Sequence, residues 1–208
     1  MFENIVTSSR CLKTNFCVVL ALPQLTKLRR LDIQSNRLTK IENLMTQRDT
    51  LEELYLAHNG IDDEGASQPT GLKLNFPNLM VLDMSRNRLT TTAHFGHLEG
   101  LEELWLSGNE IQSFDDVIPL RDASSQQKLE TLYLEYNPIA SEFEYRKRLA
   151  EYIPSLKQID ATLIGGLAAH GLPSATISHP VETLEQKMRR LQDEAIQRAK
   201  QETEAKSE

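Results

Sequence analysis

Two cysteines and one tryptophan in 208 residues, and no apolar run longer than seven, set the first limits on this chain. Cys11 and Cys17 are too few for a disulfide framework, and without a second pair their spacing is not that of a zinc site. Both read as free thiols of a reducing compartment. The apolar run at residues 16–22 falls far short of the roughly 20 residues that cross a bilayer, so no membrane contact is expected. Arg10 and Lys13 stand ahead of it, but the leading polar stretch is long and contains Glu3, which argues against a signal peptide. Basic residues are also scarce, 23 Lys and Arg against 30 Asp and Glu, and the net charge of −7 argues against affinity built on neutralising nucleic-acid phosphates, a local basic patch aside.

Catalytic patterns are missing as well. His58, His94, His97, His170 and His179 form no His-Glu-x-x-His motif, and His94-x-x-His97 has no evident third ligand. There is no glycine-rich phosphate loop and no Gly-x-Ser-x-Gly elbow. The chain is therefore expected to be no enzyme and to carry neither metal nor cofactor. Its hydrophobic fraction of 39% and charged fraction of 25% are those of a globular protein with a packed core.

What is present is a repeat. Leu28, Leu31, Ile33, Asn36, Leu38 and Ile41 set a frame that returns as Leu51, Leu54, Leu56, Asn59, Ile61 and as Leu79, Leu82, Met84, Asn87, Leu89. It returns again as Leu101, Leu104, Leu106, Asn109, Ile111 and as Leu129, Leu132, Leu134, Asn137, Ile139. The asparagines are 23, 28, 22 and 28 residues apart, so a unit of about 22 carries insertions near 62–75 and 118–127. Five copies in frame are identified as leucine-rich repeats, which predicts an α/β solenoid with short parallel strands on its concave face. Strand side chains alternate between faces, so both leucines of each Leu-x-Leu step enter the core and the residue between them points away. Each asparagine is expected to satisfy backbone groups where the chain turns out of its strand.

The domain boundaries follow. Residues 1–24 show no frame and read as an irregular segment or improvised cap, 25–140 as five repeats, and 141–164 as a C-terminal cap. In that cap Phe143, Leu149 and Ile153, with Tyr145 and Tyr152, predict an amphipathic helix stopped by Pro154 and followed by Leu156 and Ile159-Asp160. Residues 165–180, with three glycines and two prolines, read as a linker. Residues 181–208 read as a charged helical tail whose Val181, Leu184, Met188, Leu191 and Ala195 repeat at helical spacing.

Function must come from the face opposite the leucines, because a fold alone fixes none. The residues between core positions are Asp32, Tyr55, Asp83, Trp105 and Tyr133. Register places all five in a row, and exposed aromatics on a rigid sheet are what a protein-binding hot spot requires. This face carries eight acidic residues, Asp32 and Asp83 among them, against three basic ones, Arg29, Arg30 and Arg86. Such a face favours a basic protein surface, with charge guiding encounter and the rings supplying affinity.

The segments LRRLDIQSNRLTKIENL, LEELYLAHNGI, LDMSRNRL, LEELWLSGNEI and LETLYLEYNPI, closed by EYRKRLAEYIPSLKQIDAT, resemble the C-terminal half of the leucine-rich-repeat regulatory subunits of type-1 protein phosphatase. The resemblance covers about residues 25–163. It implies a non-catalytic subunit, a monomer on its own, that binds the phosphatase catalytic subunit through the concave face and acts in the nucleus and cytoplasm and in chromosome segregation. The family's binding residues in this half match Asp83, Glu103, Trp105 and Tyr133. The family carries about twice as many repeats, so five strands, offering a patch of about 400 Å² against the roughly 800 Å² of a standard interface, imply weaker binding. A leucine-rich-repeat adaptor of spliceosomal or axonemal type is the alternative.

Overall fold

The computed structural model describes residues 5–7, 25–123 and 128–164. The expected linker and helical tail, and most of the segment before Leu25, lie outside these residues. The chain divides into two compact units, 1–160 and 161–208. Of the second, residues 161–164 are described and hold a short strand, Thr162–Leu163.

The first unit is a parallel sheet whose strands follow one another in chain order. They are β1 (Ile5–Thr7), β2 (Arg30–Asp32), β3 (Glu53–Tyr55), β4 (Val81–Asp83), β5 (Glu103–Trp105), β6 (Thr131–Tyr133) and β7 (Gln158–Ile159). Each pairs in parallel with the next, and the pairing aligns Leu31, Leu54, Leu82, Leu104, Leu132 and Ile159 in one row. All six are fully buried, as are Leu51, Leu79, Leu101 and Leu129, which open each coil. Burying one leucine is worth about 1.5 to 3 kcal/mol, and no coil can bury its own row alone, so stacking is obligatory.

Two strands go beyond the five expected. β1 pairs in register with β2, Val6 against Leu31, so the N-terminal segment is not wholly irregular. The Ile-Val-Thr triplet is β-branched but lacks the leucines and asparagine that mark a repeat, which is why the frame passes it by. β7 lies inside the expected cap, where Leu156-x-x-Ile159 echoes Leu129-x-x-Leu132 and carries the sheet one strand further. The two insertions hold helices α1 (Asp63–Ala66), with Asp62 accepting the Gly65 amide as its N-cap at 2.8 Å, and α2 (Ile118–Ala123). Helix α3 (Tyr145–Tyr152) buries Tyr145 and Leu149. Phe143 does not join that face. It is 83% exposed, because Glu144 at φ +54° sits in the left-handed region and starts the helix only after it.

The asparagines do more than close their own turns. Asn109 Nδ2 donates to the Leu106 carbonyl of its own coil at 2.8 Å and to the Met84 carbonyl of the coil before at 3.0 Å, while its Oδ1 accepts the Leu89 amide at 3.1 Å. Asn59, Asn87 and Asn137 repeat this arrangement. The residue before each repeat asparagine, namely Ser35, His58, Arg86, Gly108 and Tyr136, has positive φ, and that turn swings the amide into the stack. At the junction of β6 and β7 a different device appears. Asp160, itself at φ +52° and fully buried, accepts both the Leu134 and Glu135 amides on Oδ1 at 2.9 Å and is held by Arg146 at 3.1 Å.

Asn109→Ala strands two carbonyls and one amide in the interior, and urea unfolding is expected to show a loss of about 3 kcal/mol. A loss under about 1 kcal/mol would mean that the ladder is decorative.

Candidate partner-binding face

Register places Asp32, Tyr55, Asp83, Trp105 and Tyr133 side by side, on the face opposite the leucine row. The indole is therefore not among the stacked leucines. Its edge contacts are aromatic: Tyr55 at 6.2 Å between centroids and Tyr133 at 6.0 Å, both with planes inclined at 65°.

One expectation fails here. The rings were predicted to be exposed, yet Tyr55 is 3% exposed, Trp105 1% and Tyr133 5%. Part of the cover is mutual. Strands β3 and β5 flank β4, and the rings of Tyr55 and Trp105 lean toward each other across it, over the short side chain of Asp83. Asp83 is thereby buried too, at 1%. A tyrosine anchored at its hydroxyl closes each end of the row. The Tyr55 hydroxyl donates to Glu53 at 2.9 Å, Glu53 pairs with Arg30 at 2.8 Å, and the Arg30 guanidinium lies 4.5 Å from the centre of the Tyr55 ring. The Tyr133 hydroxyl accepts from Gln158 at 2.7 Å. Asp32 and Glu103 keep partial exposure at the margins.

Burial governs the electrostatics. It pushes the Tyr133 hydroxyl up to about 12, with Glu135, Asp160 and Glu103 adding to the effect, and raises Tyr55 further in the same direction. Loss of water also pushes the Asp83 carboxyl up to about 6, against the pull of the Ser85 amide and hydroxyl and with Asp32 adding to the rise. The Ser85 amide donates to Asp83 Oδ1 at 2.8 Å. Asp83 Oδ2 and the buried hydroxyls of Ser85 and Ser107 make no hydrogen bond of ordinary geometry, although the Ser85 hydroxyl lies close enough to the carboxyl to stabilise its charge. These serines carry no signal in the repeat frame beyond recurring two residues after the row, so a reading based on aromatics and acids overlooks them.

A second cluster lies away from this face. His94 Nε2 is 2.9 Å from Asp63 and its Nδ1 is 3.0 Å from the Ser67 hydroxyl, a nucleophile–base–acid order that sequence spacing does not reveal. The Ser67 hydroxyl, however, also lies 2.6 Å from the Asp63 carbonyl, and Asp63 accepts the Thr90 amide and hydroxyl. The cluster ties the insertion that holds α1 to the following coil. Among the described residues no group of three His, Cys, Asp or Glu is arranged to hold a metal ion, and no helix is long and apolar enough to cross a membrane.

Repeat frame, parallel strands and asparagine ladder define a leucine-rich-repeat solenoid, and comparison with known proteins agrees. The Leucine Rich repeat family profile matches residues 49–67. The Drosophila melanogaster SNF/U2A' complex contains a chain superposing with a TM-score of 0.53 at 26% identity, over 66% of this chain and 75% of that one. More particularly, the chain is similar to protein phosphatase 1 regulatory subunit SDS22 of Schizosaccharomyces pombe, 39% identical over 74 residues, which make up 35% of this chain and 22% of the relative. It is also 29% identical over 139 residues to the probable U2 small nuclear ribonucleoprotein A' of Drosophila melanogaster, covering 64% of this chain and 47% of that protein. The chain thus matches less than half the length of either relative.

The Asp83 shift gives a signed prediction. Its carboxyl titrates near 6 when folded against an ordinary 3.8, so the native state binds the proton more tightly than the unfolded one. Ionised Asp83 therefore costs stability at pH 7, and the cost fades as pH falls from 6 to 4. Asp83→Asn is expected to stabilise the chain at pH 7.5 by up to about 3 kcal/mol, and by little at pH 4. Thermal melts at the two pH values check it; a destabilised variant at pH 7.5 refutes it.

Proposed function

We propose that this chain is a non-catalytic regulatory module that binds the catalytic subunit of type-1 protein phosphatase through the face bearing Asp83, Glu103, Trp105 and Tyr133. The observation that carries the reading is the alignment of those four residues on adjacent strands, with Trp105 at the centre of a contiguous aromatic row. Similarity to the phosphatase regulatory subunit supports it. In this reading the module works in the nucleus and cytoplasm, contributes to chromosome segregation and supplies no chemistry of its own. Residues 141–164 then cover the end of the solenoid, with α3 shielding the last leucines.

Burial of the row adds a kinetic condition. A partner can reach the indole only after the rings part, so association is slower than the 10⁵–10⁷ M⁻¹s⁻¹ usual for preformed surfaces, or sits at its lower edge. Burial also changes the choice of variants. Trp105→Ala empties a filled site and is expected to destabilise by about 3 to 5 kcal/mol, so it cannot separate binding from folding.

The discriminating test uses Trp105→Phe and Glu103→Gln, with capture of the catalytic subunit measured by biolayer interferometry and folding checked by melts. Capture is expected to weaken by about 1 to 2 kcal/mol for each, with unfolding free energies corrected for separately. Equal capture by wild type and both variants would remove the assigned face. A second reading, a scaffold in a small nuclear ribonucleoprotein, is favoured by the longer match to the U2 A' protein. Failure to capture the phosphatase, joined with capture of a ribonucleoprotein partner, would select it.

A further inference from the structure

The row of rings conceals a set of polar atoms that the fold leaves without well-formed hydrogen bonds. Asp83 Oδ2, Ser85 Oγ and Ser107 Oγ are each buried without a hydrogen bond of ordinary geometry. Asp83 and Ser85 lie on one strand and its exit. Ser107 belongs to the adjacent coil, where its carbonyl accepts the Arg86 amide at 2.7 Å. Buried polar groups left unsatisfied cost about 1 to 3 kcal/mol each, and register sets Ser85 and Ser107 in line, each two residues beyond the paired Asp83 and Trp105, so the group calls for an explanation. The leucine side gives the contrast, since every buried asparagine there is bonded on both sides of its amide.

We propose that Asp83, Ser85 and Ser107 form a receptor for the ammonium group of one lysine on the protein partner. The inference rests on the face assigned above and specifies what enters it. Three acceptor oxygens suit the three donors of an ammonium, a compact charge that takes whatever directions its acceptors offer. A guanidinium suits a carboxylate with both oxygens open to its planar fork, whereas Asp83 offers one uncommitted oxygen, its Oδ1 already sharing a lone pair with the Ser85 amide. The aromatic row supplies walls for the lysine stem once the rings part, and Trp105 and Tyr55 present ring edges and faces beside the carboxylate.

The receptor makes binding depend on pH. The groups around Asp83 are Tyr55 on β3, Trp105 and the partly exposed Glu103 on β5, Asp32 on β2 and Arg86 at the end of its own coil; of the charged ones, Asp32 acts on it most clearly, adding to the effect of burial. With the face closed the carboxyl titrates at about 6, and a lysine in place favours the ionised form. Below that pH each binding event must release a proton.

The test is affinity of the full-length chain for the type-1 phosphatase catalytic subunit between pH 5 and 8, wild type against Asp83→Asn. Relative to the variant, wild-type affinity is expected to be flat above pH 7 and to fall about tenfold between pH 7 and pH 5. Ser85→Ala and Ser107→Ala are expected to weaken capture three- to tenfold at pH 7.5 while keeping the slope. A ¹³C-carboxyl titration of Asp83 is expected to move to lower pH in the complex. Parallel pH profiles for wild type and Asp83→Asn, or full capture by both serine variants, overturn the receptor and leave the face assignment standing. Absence of capture by wild type at every pH removes both.

Discussion

Everything on the open face depends on hydrogen bonds made on the other side of the strands. From Asn59 onward, each repeat asparagine donates to its own coil and to the coil before, and accepts an amide from that earlier coil. The stack is thus locked in register by side chains that are half-buried at Asn59 and buried at Asn87, Asn109 and Asn137, and register alone decides that Trp105 stands between Asp83 and Tyr133. Leucines supply the driving force for stacking, but hydrophobic contact is non-directional and would tolerate a slip. The amides do not, because a displaced coil leaves buried carbonyls unpaired.

The fold was largely legible because a repeat states its frame five times, and an error in one copy is corrected by the others. Strand phase, the leucine row and the two insertions all follow from that redundancy. The ends were harder for the same reason: Val6 and Ile159 sit in copies that lack the asparagine, so pairing that the backbone makes plain carries little trace in residue type. The Phe143 misplacement is local, since helical periodicity cannot show that Glu144 turns left-handed.

The face was legible in position but not in exposure. Alternation says which side a ring leaves the strand; it does not say that rings on β3 and β5 will close over a small residue on β4. Ser85 and Ser107 were invisible for another reason, because an unsatisfied hydroxyl is a property of surroundings and not of sequence. Asp83 joins the two observations. A carboxylate sealed under aromatics reduces stability, and a position whose charge lowers stability fits a role in recognition.

Asp160 has a consequence for how the coil carrying β7 is joined to the one before it. In the interior coils the amides of Leu56, Met84 and Leu106 are taken by backbone carbonyls of the next strand. At Leu134 and Glu135 one carboxylate oxygen stands in for those carbonyls, clamped by Arg146. The coil that carries β7 is thereby joined to β6 by a side chain as well as by backbone pairing, and the Arg146 ion pair ties α3 to the same junction.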